Sequence, residues 1–363
     1  MTSKLANWLF FTMILTHIAV VLFLSFFGEF ISIGITANFF LGQAIVMVPA
    51  ILFLLLSRQK PAEHKIAQSV QPGIAPISQP AQLGIAPMTQ PVRSATFRRI
   101  RISSLLMIVL CTFLIMPLVT VLNTLTMFFT DNAVAAIESD ILSVPFPVMF
   151  FMIGIFGPFC EEFVFRGIIY GSYAGWSGKG ETSAGGSKAG RSGGLWAIML
   201  SALTFGLMHM NFNQAVYAFA IGVFLALLVE AAGSLWASVF CHMLFNSFQV
   251  LLMYGSRAVL GSAYAEAVSE TAGELTRAQL QAGLAVYLVI AAIATPIAGC
   301  CIAWIVKNEG RQEEMRALFH PAAGKTAQKN TPGEAVRREP LLTVPLIVAI
   351  VLCLGFMSLE LFL

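Results

Sequence analysis

The sequence predicts an all-α membrane protein, a polytopic bundle of about nine transmembrane helices. Its 363 residues are 58% hydrophobic and only 11% charged, whereas soluble domains usually carry about a quarter charged residues. Apolar runs of about 20 residues recur from end to end, and a helix of that length crosses a hydrocarbon layer roughly 30 Å thick. A transmembrane β-barrel would need segments that alternate apolar and polar residues, and the sequence has no stretch with that period.

The predicted spans follow the apolar runs in chain order. They cover residues 7–28, 39–57, 102–129, 146–170, 194–210, 213–231, 235–254, 280–306 and 341–363. The first run is long for a signal peptide and lacks a small-residue cleavage site after it, so we expect it to remain as a span. All six cysteines lie within these runs, where they usually pack as small apolar residues, and we expect no disulfide framework.

Charged loops predict the orientation of the helices. The connection 58–101 holds seven lysines and arginines against one acid, Glu63, which places it in the cytoplasm by the positive-inside rule. Alternation then puts the amino terminus and the loop 307–340 inside as well, as expected for a multi-pass protein of a prokaryotic plasma (inner) membrane. The net charge of +3 is too small and too dispersed to indicate nucleic-acid binding.

Two connections differ in composition from the spans. The segment 58–101 repeats Gly-Ile-Ala-Pro and predicts an extended Pro-rich linker, while Ser172–Gly194 is rich in Gly and Ser and predicts a flexible loop. The expected divisions are N-terminal transmembrane helices, a Pro-rich cytoplasmic linker, an intramembrane core, a charged cytoplasmic loop and a C-terminal transmembrane helix. They cover residues 1–57, 58–101, 102–306, 307–340 and 341–363, respectively.

Three charged residues, Glu161, Glu162 and Arg166, lie within the fourth predicted span. Ionisable groups at membrane depth are costly unless they are paired or hydrated, so they are candidates for function. On an α-helix Glu162 and Arg166 share a face and can form an ion pair, whereas Glu161 points about 100° away from Glu162. Glu161 is therefore the free carboxylate and the candidate general base. A charge cluster that only locks helices together is the alternative.

Two histidines lie among apolar residues. The fifth span ends in Phe205-x-x-x-His209 and the seventh contains His242-x-x-x-Asn246, so each histidine has a neighbour one turn away. A lone histidine in a membrane helix is more often a packing residue. Two imidazoles and a carboxylate, however, hold and deprotonate a water, either on a divalent metal or through hydrogen bonds, and an asparagine amide stabilises an oxyanion. His209 is expected near the outer end of its span, away from the depth of Glu161.

The ordered set of motifs resembles that of the CPBP family, the CAAX-protease and bacteriocin-processing group that is also called Abi. A double glutamate, with arginine four residues after the second, is followed by Phe-x-x-x-His and His-x-x-x-Asn, all within predicted membrane helices. The family includes prenyl-protein endopeptidases of the Rce1 type. The resemblance implies that 102–306 is an intramembrane protease core, commonly called a metalloprotease, which cuts a peptide or membrane-anchored protein in the lipid bilayer.

The resemblance also implies residue roles. Glu161 would activate the water with His209, His242 and Asn246 would bind or stabilise the oxyanion, and Glu162 with its arginine would support them. Glu161, His209 and His242 would be the ligands of a divalent metal such as zinc. A metal-free mechanism that depends on the glutamate stays open.

Three alternatives remain beside the peptidase. A non-catalytic immunity or scaffolding protein would keep the polar cluster for helix packing. A transporter would use it as a proton relay; it ranks last, because no inverted repeat of broken helices is evident. A cysteine peptidase ranks well below the glutamate-dependent one, because Cys160 and Cys241 only adjoin Glu161 and His242 in sequence, and neighbours on a helix point about 100° apart.

Overall fold

The computed structural model describes residues 2–27, 33–57, 97–174, 194–261, 263–264, 276–319 and 341–359, and the regular structure in these ranges is helical. The helices are α1 (Ser3–Phe27), α2 (Ile35–Ser57), α3 (Ile102–Thr126), α4 (Ala133–Ala136), α5 (Glu138–Leu142), α6 (Phe146–Tyr173), α7 (Gly194–Met208), α8 (Phe212–Ala232), α9 (Leu235–Leu260), α10 (Arg277–Glu309), α11 (Gln312–Phe319) and α12 (Val344–Leu359). Most of the predicted Pro-rich linker, of the Gly/Ser-rich loop and of the charged loop 307–340 lies outside the described residues.

The predicted class, a polytopic helical bundle, is confirmed. Within the described ranges seven helices are long and apolar enough to cross a membrane, namely α1, α2, α3, α6, α8, α9 and α10. A helix also occupies each of the other two predicted spans, but α7 has 15 residues and α12 has 16. These two are shorter than the roughly 20 residues that a full crossing needs, so the predicted count of nine spans is not confirmed.

Local sequence signals set several helix ends. Asn211 caps α8, since its side-chain oxygen accepts a hydrogen bond from the backbone N–H of Gln214 at 3.0 Å. The same helix stops at Gly233, whose φ of 64° lies in the left-handed region that glycine adopts without strain. Thr276 begins α10 with a capping box that it forms with Gln279. These caps fix where the chain turns between neighbouring helices.

The helices pack as two groups around α8. α7 and α3 both pack along α8, and α3 also runs beside α10. One buried cluster joins α1, α2, α6, α7 and α12, while a second joins α3, α8, α9 and α10. Because α6 belongs to the first cluster and α9 to the second, the surface between these two helices lies where the groups meet.

A buried hydrogen-bond network joins α1 and the start of α12 to the end of α6. The Asn7 side-chain N–H groups donate to the Leu341 carbonyl at 2.7 Å and to the Thr343 hydroxyl at 2.9 Å. Its side-chain oxygen accepts a hydrogen bond from the Tyr173 hydroxyl at 2.6 Å. Since Asn7 is fully buried, these bonds satisfy polar groups that would otherwise be costly in an apolar bundle. They fix α1 and the start of α12 against α6.

The helix α6 is not a uniform α-helix. Two π-helical stretches, Phe150–Phe156 and Phe163–Tyr170, flank a short α-helical stretch, Gly157–Glu162. A π-helical hydrogen bond spans one more residue than an α-helical bond, and such stretches occur often at functional sites. The α-helical stretch carries the two adjacent glutamates of the first motif.

Candidate active site

The two adjacent glutamates of α6 have different surroundings. The side chain of Glu162 is completely buried, whereas that of Glu161 keeps 21% of its surface exposed. Glu162 Oε1 accepts a hydrogen bond from Arg166 Nη1 at 2.8 Å and another from His242 Nδ1 at 3.0 Å. The ion pair expected from the four-residue spacing is therefore present, and Glu161 lies outside it.

The guanidinium of Arg166 is enclosed by its neighbours. Its Cζ lies 4.1 Å from the centre of the Phe205 ring, a cation–π contact. Gly222 leaves space for it on α8, because a Cβ there would lie 3.2 Å from Arg166 Nη2 and 3.0 Å from Ala202. Arg166 is itself fully buried. Its charge is therefore balanced within the bundle by Glu162 and the aromatic face rather than by water.

The hydrogen bond to Glu162 sets the tautomer of His242. A carboxylate only accepts, so Nδ1 of His242 carries the proton and Nε2 of the neutral ring keeps its lone pair. Nε2 lies 3.9 Å from Glu161 Oε2. That separation is too long for a direct hydrogen bond, but it lets both atoms reach one water molecule placed beside them. The free carboxylate and the free imidazole nitrogen thus face each other.

His209 lies in the turn between α7 and α8. Its Nδ1 is 3.0 Å from the carbonyl oxygen of Phe205. A carbonyl only accepts, so Nδ1 is again the donor and Nε2 is left as an acceptor. The Phe205 ring contacts both imidazoles, with centroid distances of 5.2 Å to His209 and 5.8 Å to His242. Phe205 of the second motif therefore lies between the two histidines.

Phe205 brings His209 close to the other motif residues. The sequence predicts His209 at the outer end of a span that runs to residue 210, away from the depth of Glu161. In the structure α7 ends at Met208, so His209 does follow the end of its helix, and the Phe205 ring links it to His242. The depth of His209 in the membrane stays a prediction.

Asn246 joins α9 to the first π-helical stretch of α6. Its Nδ2 donates to the carbonyl of Ile153 at 3.1 Å, and the adjacent Ser247 hydroxyl donates to the carbonyl of Gly154 at 3.3 Å. Gly154 permits this approach, since a Cβ at that position would lie 2.6 Å from Ser247 Oγ. A carboxamide has two N–H groups, so Asn246 keeps a second donor beside the bond to Ile153.

The segment that carries the three motifs is similar to a known family. Residues 143–248 match the family model described as type II CAAX prenyl endopeptidase Rce1-like. This segment is similar to that family, and 143–248 is therefore referred to as the Rce1-like domain. It contains all three motifs, from Glu161 to Asn246, and the resemblance that the motifs predicted is confirmed. The helices α1 to α5 and those after α9 lie outside the matched residues.

A curated relative agrees with the Rce1-like assignment. The protein named "Putative membrane peptidase YdiL" of Bacillus subtilis (strain 168) is 26% identical over 106 residues, which are 29% of this chain and 37% of that protein. The match thus spans a little over a third of the relative's length. No solved structure matches the chain. At family level, the comparisons support a membrane endopeptidase.

One contact to Glu161 comes from outside the Rce1-like domain and was missed by the sequence reasoning. Gln43 Nε2 on α2 lies 3.4 Å from Glu161 Oε1, within hydrogen-bond distance. His17 on α1 lies within electrostatic range of His209. A glutamine in the otherwise apolar second span was the available signal, but nothing in its sequence position pointed to Glu161.

The donor chemistry of the site suits a divalent metal, but the donors do not converge. Two imidazole nitrogens and a carboxylate are usual zinc ligands. In the described part of the chain, however, no three side chains of the His, Cys, Asp and Glu types lie close enough to hold an ion together. As they stand, Glu161, His209 and His242 do not form a closed metal site.

The two cysteines beside the motifs face other partners. Cys160 is buried, and Cys241 Sγ accepts a hydrogen bond from the Thr112 hydroxyl at 3.2 Å on α3. All six cysteines of the chain are free thiols. Cys241 therefore packs toward α3, while its neighbour His242 points toward the acids of α6.

Proposed function

We propose that this chain is an intramembrane endopeptidase that hydrolyses a peptide bond in a membrane-associated protein or peptide. The observation that carries the proposal is the division between the two glutamates. Glu162 is committed to Arg166 and His242, while Glu161 lies outside that pair and faces the free Nε2 of His242 at 3.9 Å. A partly exposed carboxylate opposite an imidazole acceptor is an arrangement that holds and deprotonates a water.

The proposed mechanism uses the protein's own groups. A water held between Glu161 Oε2 and His242 Nε2 gives its proton to Glu161 as its oxygen attacks the scissile carbonyl. Glu161 then passes that proton to the departing amine nitrogen, so that protons balance. His209, whose Nε2 is also an acceptor, assists the water as the family resemblance implies. General-base catalysis of this kind contributes about 10²- to 10⁴-fold to the rate.

The oxyanion of the tetrahedral intermediate needs a donor. Asn246 has one N–H beyond the one bound to Ile153, and we assign that group to the oxyanion. His242 offers no N–H on Nε2 while it is neutral, so in this proposal it holds the water. Removing an oxyanion donor typically lowers kcat by about 10²- to 10³-fold.

The substrate class follows from the bilayer and from the matched family. The site lies among apolar helices, so the substrate enters from the membrane or is anchored to it. The description of the family model names CAAX prenyl endopeptidases, which makes a farnesylated CAAX peptide the first probe. We place the protein in a prokaryotic plasma membrane with its amino terminus inside, as the basic residues of 58–101 favour.

The test measures cleavage by purified protein in lipid nanodiscs. The probes are an internally quenched farnesylated CAAX peptide, the same peptide without the farnesyl group, and host membrane proteins whose new amino termini are mapped by mass spectrometry. Wild type is expected to cut at least one of them, and Glu161→Gln is expected to be at least about 100-fold slower. Glu313→Gln is the matched control, because Glu313 is an exposed acid on α11 whose side chain is 76% exposed.

Three results would overturn the proposal. Cleavage at the wild-type rate by folded Glu161→Gln protein would show that this carboxylate is not the base. If wild type cleaves none of the probes, while Glu161→Gln changes only stability, the polar cluster serves helix packing in a non-catalytic membrane protein. Flux that depends on a proton gradient would indicate the transporter instead.

A divalent metal such as zinc stays a prediction beside the metal-free mechanism. If present, it would polarise the attacking water, and Glu161, His209 and His242 would be its ligands. Elemental analysis of purified wild type, His209→Ala and His242→Ala checks this. Stoichiometric zinc that is lost in either variant supports the metal, whereas a metal-free preparation whose activity withstands chelators supports the glutamate mechanism alone.

A further inference from the structure

The second helix reaches the candidate site from outside the Rce1-like domain. Phe40 on α2 packs against Phe156 of α6, with ring centroids 5.9 Å apart. Gly157, at the start of the α-helical stretch, leaves room for α2, since a Cβ there would lie 3.3 Å from Gln43 Nε2 and 3.1 Å from the Met152 carbonyl. The side chain of Gln43 therefore occupies space beside the acid pair that a larger residue at 157 would take.

Among the described residues, only the N–H side of the Gln43 carboxamide has a hydrogen-bond partner. Its Nε2 lies 3.4 Å from Glu161 Oε1, a long hydrogen bond to the proposed base. Its Oε1 is buried and, among the described residues, has no hydrogen-bond partner. A buried acceptor without a donor is disfavoured by about 1–3 kcal/mol, and such a group calls for a specific explanation. A donor that arrives with the substrate provides one.

A peptide bond brings that donor. The carbonyl attacked at Glu161 belongs to a chain whose neighbouring backbone N–H groups lie within a few ångströms of it. In an extended segment these groups are free to donate, whereas in a helix they are already bonded within the chain. Gln43 is thus placed to recognise the backbone of an unwound peptide, independently of its side chains.

A second group on the N-terminal helices shows the same pattern. His17 on α1 also has a buried ring nitrogen, Nδ1, without a hydrogen-bond partner among the described residues, and it lies within electrostatic range of His209. α1 is held at the end of α6 by the hydrogen bond from Tyr173 to Asn7. Both N-terminal helices are therefore held against α6, the helix that carries the two glutamates.

We propose that Gln43 is a positioning and substrate-binding residue of this peptidase, a role that rests on the proposed function. Its Nε2 orients the carboxylate of Glu161 toward the water, and its Oε1 accepts a backbone N–H from an extended segment of the peptide substrate. The N-terminal helices thereby complete a site whose reacting groups lie in the Rce1-like domain. The substrate class is a peptide that is unwound at the bond to be cut.

Two substitutions separate these roles. Gln43→Met keeps a similar shape but removes both the donor and the acceptor, while Gln43→Glu keeps an acceptor oxygen and replaces the amide donor by a second carboxyl group beside Glu161. Both are expected to lower kcat by roughly tenfold or more, because the amide hydrogen bond that orients Glu161 is lost, and in Gln43→Glu the two neighbouring carboxyl groups also compete for one proton. Only Gln43→Met is expected to raise KM, by roughly tenfold. Asn38→Met is the matched control, because Asn38 is an exposed amide on the same helix.

The experiment measures kcat and KM in nanodiscs with the farnesylated CAAX peptide, or with a quenched peptide that spans a cut site mapped in the host membrane proteins. Thermal unfolding of each variant confirms that it is folded. If Gln43→Met and Gln43→Glu match wild type in kcat and KM while Glu161→Gln is inactive, the inference is wrong and the proposed function stands. If KM rises equally in both variants, Oε1 does not bind substrate. If wild type cuts none of the probes, the proposed function is wrong and the inference falls with it.

Discussion

Replacing Arg166 by methionine tests the energetics of the buried pair. In the wild type Arg166 and Glu162 are both fully buried and lie 2.8 Å apart. Removal of one partner leaves an uncompensated charge, and in buried pairs this costs about 3–5 kcal/mol. The cation–π contact with Phe205 at 4.1 Å is lost as well, but methionine restores part of its packing. We therefore expect Arg166→Met to lower the free energy of unfolding by about 3–5 kcal/mol.

A double-mutant cycle separates the pair from its individual side chains. In Glu162→Gln/Arg166→Met the unpaired charge is gone, while glutamine still offers a carbonyl oxygen to His242 Nδ1. Replacement of a buried ion pair as a whole is often close to neutral, so the double variant should be more stable than Arg166→Met alone. The difference measures the coupling between the two residues.

The measurement is the free energy of unfolding in bicelles by steric trapping. Arg316→Met is the control: Arg316 pairs with Glu313 at 3.4 Å, but both side chains are at least 70% exposed, and such surface pairs contribute about 0–1 kcal/mol. A loss below about 1 kcal/mol in Arg166→Met, or a double variant that is less stable than both single variants, would refute this account of the buried charge.

Two further predictions concern the helices that frame the site. Gly154→Ala should lower the unfolding temperature, because the added Cβ would lie 2.6 Å from Ser247 Oγ and push α9 away from α6. The control is Gly255→Ala, which should not lower it, since a Cβ at Gly255 would have nothing within 4 Å. Equal melting curves for the two variants would contradict the close approach of α9 to α6. Tyr170→Phe removes the 2.6 Å hydrogen bond from the tyrosine hydroxyl to buried Glu230. It should reduce the free energy of unfolding by about 1–3 kcal/mol in the steric-trapping assay. An unchanged free energy of unfolding would contradict this prediction.

The sequence predicted those features of the site that depend on local spacing. Composition determined the helical membrane class, and the four-residue separation of Glu162 and Arg166 predicted their ion pair, because helical neighbours one turn apart share a face. The same reasoning separated Glu161 from the pair. These predictions needed only the geometry of a single helix, which varies little between proteins.

Features that depend on how helices meet could not be predicted in this way. Gln43 lies 118 residues before Glu161, so its contact is set by the packing of α2 against α6 and not by spacing. The contact of the Phe205 ring with both His209 and His242 likewise depends on how α7 meets α9, which spacing along one helix does not specify. The π-helical stretches of α6 were not predicted either, because the first is apolar throughout and a single charged residue, Arg166, interrupts the second.

The contacts just before the acid pair explain how Glu161 is held without a charged partner of its own. Asn246 and Ser247 bind the carbonyls at 153 and 154, within the first π-helical stretch, and Gln43 packs over Gly157. Both α2 and α9 therefore contact α6 within roughly two turns before Glu161. A catalytic group must be held within a fraction of an ångström of its working position, and these neutral contacts hold the backbone that carries the proposed base. Arg166, the only fully buried cation among the described residues, pairs with Glu162, so Glu161 stays available as the proposed proton acceptor.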